Sequence, residues 1–358
     1  MKRILFLFLV LFVFRLTFGL LHAAWMSPDE RQTYLIGLKS YATGTWPYFG
    51  PDVHGSESDF ESQIPGALEG LMIAVPLHLL PIPEAPFILV NLMSTAAVML
   101  LAGYICKRLP RLPFTWLCWW IAAAPWSVQL ATHVYNPAYI FLPSVLFVIG
   151  FMESVPAFRL RVIPLPLANA LMGASLVSIM QLHVSYVYLV PLAAAALLSQ
   201  MHATKRLSCA AYFALGALPP LACVIPTWLL YGLAQSDVGS GFVVPFNWTN
   251  VKAFLTILAR ALSMVCFELP RFIGGDTATR VSFLSQHPLL IVPAVVLGIV
   301  GLIQPFVLVF CWFRKTSEGP GWRPLRWLVV AALALAEVVS GSRSSDRCLI
   351  SSSSSSRC

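Results

Sequence analysis

Residues 25–64 read WMSPDERQTYLIGLKSYATGTWPYFGPDVHGSESDFESQI and separate a first apolar run from the rest of the chain. Seven of the fifteen acidic residues lie between Asp29 and Glu69, and the only bases among them are Arg31 and Lys39. The preceding run, residues 4–24, is long enough to cross a bilayer, which takes about 20 residues. The stretch therefore predicts a polar, carboxylate-rich loop directly after a first membrane span.

The loop begins with the signature of a helix start. Ser27-Pro28-Asp29-Glu30 fits a capping box, in which Ser27 is the N-cap and Glu30 bonds back to it. Asp29 points away from the apolar face of this helix, since successive residues turn by about 100°. It is either a reactive group in an aqueous cleft or a carboxylate that only complements the helix dipole. The apolar face is predicted to lie on the membrane surface and consists of Tyr34, Leu35, Leu38, Tyr41 and Ala42.

The composition excludes a soluble protein. Of 358 residues, 58% are apolar and 11% are charged, and the mean hydropathy is +0.78, values typical of polytopic membrane proteins. The net charge of +8 comes from bases in short segments between apolar runs, so the expected surrounding is membrane lipid and no nucleic acid is expected as a partner. The eight cysteines lack the spacing of a zinc site or a disulfide framework.

The fold predicted from the apolar runs is all-α, a polytopic membrane helix bundle of about eight to nine transmembrane helices with amphipathic helices in the first outer loop. This transmembrane domain covers 1–340, with outer loops at 25–83 and 233–287 and a surface helix at 247–269. Residues 65–81 are apolar but only 17 in number, which favours an interfacial or re-entrant segment. The predicted spans are 4–24, 84–106, 112–132, 137–153, 163–181, 184–201, 208–232, 288–313 and 326–340.

Charge bias predicts the orientation. With the N-terminus inside, the inner loops hold thirteen bases and two acids, and the outer segments hold six bases and eleven acids. Positive charge on the inner side is the rule for membrane proteins. The N-terminus is therefore predicted to be cytoplasmic, with both long loops outside the inner (plasma) membrane. A signal peptide over residues 1–24 is the alternative, disfavoured by the length of its apolar run.

The chain ends with residues 341–358, GSRSSDRCLISSSSSSRC, which interrupt a last apolar run. That run holds about 15 residues, too few to cross a bilayer. The serine-rich, low-complexity tail indicates a non-native or frameshifted C-terminus. A disordered polar tail is the alternative.

The order of motifs after the first span resembles the GT-C superfamily of membrane glycosyltransferases, in particular its aminoarabinose and dolichyl-phosphate-mannose types. These motifs are Pro28-Asp29-Glu30, Tyr34 soon after, a turn from Gly44 to Pro51, and Pro65-Gly66. Arg31, directly after Glu30, departs from the family pattern. The resemblance implies transfer of one sugar from a polyprenyl-phosphate donor to a lipid, glycan or protein acceptor on the outer face.

By the same resemblance, Asp29 is the catalytic carboxylate, and Glu61 helps to build the site together with Glu30. Arg31 and Tyr34 are then candidate substrate contacts. Asp29 and Glu61 are also the candidate ligands of a divalent cation, for which oxygen ligands favour Mg²⁺ or Mn²⁺.

Other polar residues are predicted on the outer side. His54 belongs to a group of outer histidines, and His183 follows Gln181 at the turn after the fifth span, where a buried polar group is costly unless it is used. Asn136 lies at the turn before the fourth span. The structural alternatives are interfacial anchoring for the histidines and a helix start with Pro137 for Asn136.

Arg271 and Arg280, in the second outer loop, are candidate clamps for the lipid phosphate or solvated surface charges. Two other classes of function stay open. One is a transporter or flippase of lipid-linked sugars, in which the loop acids bind substrate and nothing is cleaved. The other is an inactive fragment or scaffold subunit. Inverted repeats would favour the transporter, and the sequence shows none.

Overall fold

The computed structural model describes residues 2–22, 26–52, 63–183, 185–205, 207–232 and 277–293, with isolated residues from 295 to 310. The chain divides into one unit of residues 1–123 and 127–241 and a second of residues 124–126 and 242–358. Several predicted features lie outside the described residues: the segment 53–62, the surface helix 247–269, the span 326–340 and the tail 341–358. The predicted span 288–313 is described only in part.

The described chain is mostly helical, as predicted. The helices up to residue 231 are α1 Lys2–His22, α2 Pro28–Thr43, α3 Leu68–Leu79, α4 Ala85–Arg108, α5 Phe114–Ala123, α6 Pro125–Thr132, α7 Asn136–Tyr139, α8 Phe141–Ser154, α9 Leu165–Leu182, α10 Tyr186–Thr204, α11 Ser208–Ala222 and α12 Ile225–Tyr231. In the second unit, α13 covers Thr277–Gln286 and a 3₁₀ turn covers Pro288–Leu290.

A two-stranded sheet in the first outer loop was not part of the sequence prediction. Strand β1, Phe49–Asp52, pairs antiparallel with β2, Gln63–Pro65, and Phe49 lies opposite Pro65. The hairpin brings the chain after α2 back to the start of α3.

Five described helices are long and apolar enough to cross a membrane, which indicates a membrane-associated protein. They match five predicted spans to within a few residues. α7 and α8 together make one of them. The five are Lys2–Leu20, Ala85–Arg108, Asn136–Ser154, Leu165–Leu182 and Tyr186–Thr204.

Two predicted spans are interrupted. The run 112–132 forms two short helices, α5 and α6, because Pro125 ends one helix and begins the next. The run 208–232 is long enough to cross a membrane only if α11 and α12 are taken together, and this pair is bent by 62°. Pro226, in the first turn of α12, lacks the amide hydrogen that a continuous helix would use at this break. Hydropathy averaged over a window does not detect such breaks.

Helix α3 has twelve residues, or about 18 Å at 1.5 Å per residue. This is well short of a hydrocarbon core of about 30 Å. The helix length agrees with the prediction that residues 65–81 do not cross the membrane.

Helices α9 and α11 approach each other closely at two glycines. A Cβ on Gly173 would clash with the Phe213 carbonyl, and a Cβ on Gly216 would clash with the Ala170 carbonyl. Small residues at such crossings let helix backbones pack without a side chain between them.

Arg15, in the middle of α1, is fully buried. Its guanidinium donates to the hydroxyl and the carbonyl of Ser127, both at 2.7 Å, and to the carbonyl of Ala122 at 3.3 Å. It also donates to the Ser94 hydroxyl. A charge in an apolar helix needs such partners, so these contacts fix the rotation of α1 against its neighbours.

Glu153, near the end of α8, is also fully buried. Its Oε1 accepts hydrogen bonds from the Tyr104 hydroxyl at 2.8 Å and the Leu160 amide at 3.2 Å. Its Oε2 accepts from the Val162 amide at 3.0 Å. Arg108 Nη2 lies 3.6 Å from Oε1. One carboxylate thus ties together α4, α8 and the loop that leads to α9.

Candidate functional site

The predicted start of α2 is confirmed in detail. Ser27 Oγ accepts from the Glu30 amide at 3.3 Å, and Glu30 Oε2 accepts from the Ser27 amide at 2.8 Å. The helix ends at Gly44, which adopts a left-handed conformation with φ of 68°. The segment after the first span therefore begins and ends with local capping interactions.

The first turn of α2 presents two carboxylates in opposite ways. Asp29 is exposed and so is Arg31, two residues further on. Glu30 is 0% exposed, and its Oε1 accepts from the Val134 amide at 3.1 Å. Glu30 therefore anchors the start of α2 to the chain between α6 and α7, and its share in catalysis stays a prediction. Asp29 faces away from the packed side, as predicted.

The packed side of α2 is more polar than predicted. Tyr34, Leu38 and Tyr41 do pack against an apolar cluster that includes Ile73 and Tyr139. Leu35, predicted on the same face, is 60% exposed. The buried positions are instead Glu30, Thr33, Gly37 and Ser40.

Gly37 explains why α2 can pack so closely. A Cβ at this position would lie 2.7 Å from the carbonyl of Gly70 on α3, a distance that real Cβ atoms do not tolerate. The close approach brings the hydroxyl of Thr33 to 3.1 Å from Glu69 Oε1. Packing of two helices thereby creates a buried pair between residues 36 positions apart.

Glu69 is the main feature of this region that the sequence reasoning missed. Its side chain is 1% exposed, and its Oε2 has no hydrogen-bond partner among the described residues. A Cβ added to Gly50 would lie 3.0 Å from that oxygen, so the hairpin backbone covers it. Burial raises the pKa of the Glu69 carboxyl to about 8, and the bond from Thr33 only partly opposes this shift.

A signal for Glu69 existed in the sequence. An acidic residue at the start of the apolar run Leu68–Leu79 is costly to bury unless it is used or neutralised. The resemblance gives Glu69 no role, because none of its motifs includes this residue.

Tyr139 interacts electrostatically with the Glu69 carboxyl. Its ring is fully buried, its hydroxyl has no partner among the described residues, and it interacts electrostatically with Glu69 and Glu30. Glu30, Glu69 and Tyr139, from three helices, thus form one buried polar group beneath the start of α2.

The chain around Gly66 joins this group to the bent helix pair. Gly66 has φ of 132° and packs against the side chain of Gln181. Gln181 donates to the Pro220 carbonyl at 2.6 Å, and Thr227 of α12 donates to the Tyr48 carbonyl at 2.8 Å. The polar Gln181 is therefore buried as a link between α9 and the break after α11.

A groove of about 740 Å³ lies beside α2. Tyr34 lines it and donates from its hydroxyl to the Pro83 carbonyl at 3.0 Å. Burial, and then the negative charge of Glu84, raise the pKa of Tyr34. The walls are mainly apolar and consist of Leu20, Met26, Tyr34, Ile82, Pro83, Glu84, Phe87 and Ile88.

The other described candidates sit at helix ends. Asn136 begins α7 and is partly buried, with Pro137 next to it. His183 follows α9, and its Nδ1 accepts from the Ser185 amide at 3.1 Å. The position of Asn136 matches its structural alternative, a helix start. The alternative for His183, interfacial anchoring, stays a prediction.

Four predicted site residues are not placed. His54, Glu61 and Arg271 lie outside the described residues, and of Arg280 only the backbone, within α13, is described. Their predicted roles stay predictions.

Within the described part of the chain, no three metal-ligating side chains come together. Both oxygens of Glu30 accept backbone amides. Glu61 lies outside the described residues, so the expected Mg²⁺ or Mn²⁺ site with Asp29 and Glu61 stays a prediction.

Comparison of the chain with protein-family models, characterised proteins and solved structures finds no match. The class that the fold and site define is a helical, membrane-associated protein. An exposed carboxylate marks a fixed helix start, and a buried carboxyl with a raised pKa lies on the neighbouring helix.

Proposed function

We propose that this chain is a membrane glycosyltransferase of the GT-C type, which transfers one sugar from a polyprenyl-phosphate donor to an acceptor. The observation that carries this proposal is the exposure of Asp29 at a rigid helix start. The capping box and the bond from Val134 to Glu30 hold that turn in place. A reactive group on a fixed element is positioned more reproducibly than one on a loop.

In this reaction Asp29 accepts the proton of the acceptor hydroxyl, and the hydroxyl oxygen bonds to the anomeric carbon of the donor sugar. The bond from that carbon to the phosphate oxygen breaks, and the lipid phosphate leaves with the electron pair. Arg31, exposed on the same turn, stabilises the charge of the phosphate. Arg271 and Arg280 are further candidates for that role. We route no step through a metal ion.

The donor needs a place for its lipid. The groove beside α2, with Tyr34 in its wall, is mostly apolar and adjoins the same helix as Asp29. It suits the polyprenyl chain near the phosphate. The acceptor is a lipid, a glycan or a protein.

The proposed setting is the inner (plasma) membrane, with eight to nine spans, a cytoplasmic N-terminus and the loops 25–83 and 233–287 outside. The charge bias of the sequence supports this orientation. Single cysteines at Ser56 and Ser317, in a background without native cysteines, should react with an impermeant reagent from opposite sides. Labelling of both from one side would contradict the topology.

The catalytic test is Asp29→Asn. The amide keeps the size and polarity of the side chain, and Ser27 still caps the helix, so folding should be unchanged. Loss of a positioned base lowers the rate by about 10²–10⁴-fold. The measurement is transfer of radiolabelled sugar from polyprenyl phosphate by membranes that contain the full chain. Glu318→Gln, which removes a carboxylate on the predicted inner side, is the matched control. Near-native transfer by Asp29→Asn would refute the proposed site.

A second candidate is a transporter of lipid-linked sugars. Buried ionisable residues and broken helices are typical of transporters, and Glu69 and the 62° bend between α11 and α12 are of these kinds. In proteoliposomes with a fluorescent lipid-linked sugar, a transporter would move the lipid without releasing its sugar. Glu69→Gln would then abolish the pH dependence of movement, and Asp29→Asn would leave it intact.

A further inference from the structure

A second groove lies at the end of the bundle that carries the N-terminus, between α1, α4 and the first residue of α5. Its volume is about 1050 Å³, at the upper end of small-molecule sites, which span about 300–1,000 Å³. It is separate from Asp29, Glu69 and the groove beside α2.

One wall of this inner groove is a single face of α4. Gly103 opens its floor, because a Cβ there would meet only the Phe114 ring, at an ordinary 3.7 Å. The space above Gly103 is therefore free for a ligand. The lining residues of α4 recur at three- and four-residue spacing, as one helix face requires, and are Ala96, Met99, Leu100, Gly103, Cys106 and Lys107.

The opposite wall is the first turn of α1 and is wholly apolar. Ile4 and Leu5 line it, together with Phe8. Ile4 is 57% exposed and Leu5 is 58% exposed. No other described helix covers these side chains, so an apolar ligand can lie along them.

The polar end of the inner groove is positively charged. Lys107 lines it, is exposed, and makes no ion pair with any described residue. The neighbouring Arg108 is instead turned inward, toward Glu153. Lys2 and Arg3, both exposed, begin the helix that forms the other wall. None of the described lining residues is acidic.

We propose that the inner groove binds an anionic phospholipid, with one acyl chain along Gly103 and the phosphate at Lys107. Apolar walls that end in a cation match an amphiphile with a negative headgroup. A soluble anion would gain nothing from the walls, and a zwitterionic lipid would gain less from Lys107, because its headgroup also carries a positive charge. This site does not depend on glycosyl transfer.

Native mass spectrometry of the purified full chain tests this proposal. The chain is titrated with dioleoylphosphatidylglycerol or dioleoylphosphatidylcholine, which share acyl chains and differ in headgroup charge. We expect the first anionic lipid to bind about fivefold or more tighter than the zwitterionic one, the contribution of one base near an anionic headgroup. Lys107→Gln should remove most of that preference.

Gly103→Phe fills the floor of the groove and should weaken binding of both lipids by about tenfold, the equivalent of a few lost methylene contacts. Leu100→Trp, at a half-exposed groove position, is a second filling variant in case Gly103→Phe does not fold. Lys39→Gln removes an exposed base outside the groove, and Leu198→Phe adds bulk at an exposed position of α10. Both should bind like the native chain.

Equal binding of the two lipids by the native chain would overturn the proposal, as would an unchanged preference in Lys107→Gln. The same spectra report a second copy of the chain as occupant. Loss of a dimer in the filling variants, with lipid binding unchanged, would assign the groove to self-association and refute lipid binding.

Discussion

Glu69 and Glu153 are both buried carboxyl groups, but their surroundings differ. Glu153 accepts a hydroxyl and two backbone amides, and a guanidinium lies 3.6 Å away. Glu69 accepts one hydroxyl, and its second oxygen has no partner among the described residues. Donors and a cation stabilise the charged form of a carboxyl, whereas burial alone favours the neutral form. Glu153 therefore ties α4, α8 and the following loop together, whereas Glu69 has one oxygen without a described partner and a raised pKa.

The two carboxyls also lie at different places in the fold, which bears on function. Glu153 joins α4, α8 and the loop before α9 through three hydrogen bonds and one ion pair. Glu69 lies where α2, α3 and the hairpin meet, under the start of the helix that carries Asp29. A buried polar atom without a hydrogen-bond partner is unfavourable, and such exceptions are expected mainly at functional sites.

The largest expected effect is on Glu153. Glu153→Gln leaves Arg108 without its carboxylate and turns an amide group toward backbone N–H donors. Breaking a buried ion pair of this kind costs about 3 kcal/mol of unfolding free energy. Unfolding of the purified chain in detergent measures this loss.

Arg108→Gln in the same background serves as the matched control, because removing both charges restores part of the stability. A loss below about 1 kcal/mol for Glu153→Gln would mean that the ion pair is as weak as a surface pair.

A smaller effect is expected for Glu69, which should make the unfolding free energy depend on pH. Its pKa is about 8 in the folded chain against an ordinary 4.5. Between these values the folded state keeps a proton that the unfolded state has released, so stability falls as the pH rises. From pH 6 to 8 the loss is about 2 kcal/mol at about 1.4 kcal/mol per unit. Below pH 4.5 the contribution is complete.

Glu69→Gln cannot titrate and still accepts the bond from Thr33, so it should lack this decline. Unfolding of the variant and the native chain is compared at each pH. Glu84→Gln, at an exposed acid of the same region, should follow the native curve. Parallel curves for Glu69→Gln and the native chain would show that Glu69 is charged when folded.

A third comparison concerns two buried tyrosines, of which one variant should change stability least of all. Tyr104 donates to Glu153 at 2.8 Å, whereas the Tyr139 hydroxyl has no partner among the described residues. Tyr104→Phe removes a hydrogen bond to a charged group, worth about 1.5–3 kcal/mol. Tyr139→Phe removes an unpaired polar atom and should be neutral or slightly stabilising. Thermal unfolding of the pair decides this, and an equal loss in both variants would indicate a partner for Tyr139 beyond the described residues.

Local features were predicted well from the sequence. The capping box needs only Ser27 and Glu30, three residues apart, and the apolar runs that match five long helices need only composition. The short helix at Leu68–Leu79 also agrees with the prediction for residues 65–81, because length limits whether a helix can cross. The predicted spans 112–132 and 208–232 were less accurate, because hydropathy averages over the prolines that interrupt them.

The candidate site was predictable only in part. The exposure of Asp29 follows from helical geometry within one turn. Glu30, its neighbour, was assigned to catalysis, and the structure uses both of its oxygens in backbone contacts. Its partner Val134 is 104 residues away, and a local sequence pattern cannot predict a contact over that distance.

By itself, the sequence determined that the chain is a helical membrane-associated protein with an acidic, capped helix after its first apolar run, because hydropathy and capping act over one or a few helical turns. Only the tertiary structure decided which carboxyls are buried and how each is partnered. Thr33 and Gly50 meet Glu69, and Tyr104 and Arg108 meet Glu153, through packing of segments far apart in the chain. The pKa of a carboxyl depends on that packing, since burial disfavours its charge and nearby donors favour it.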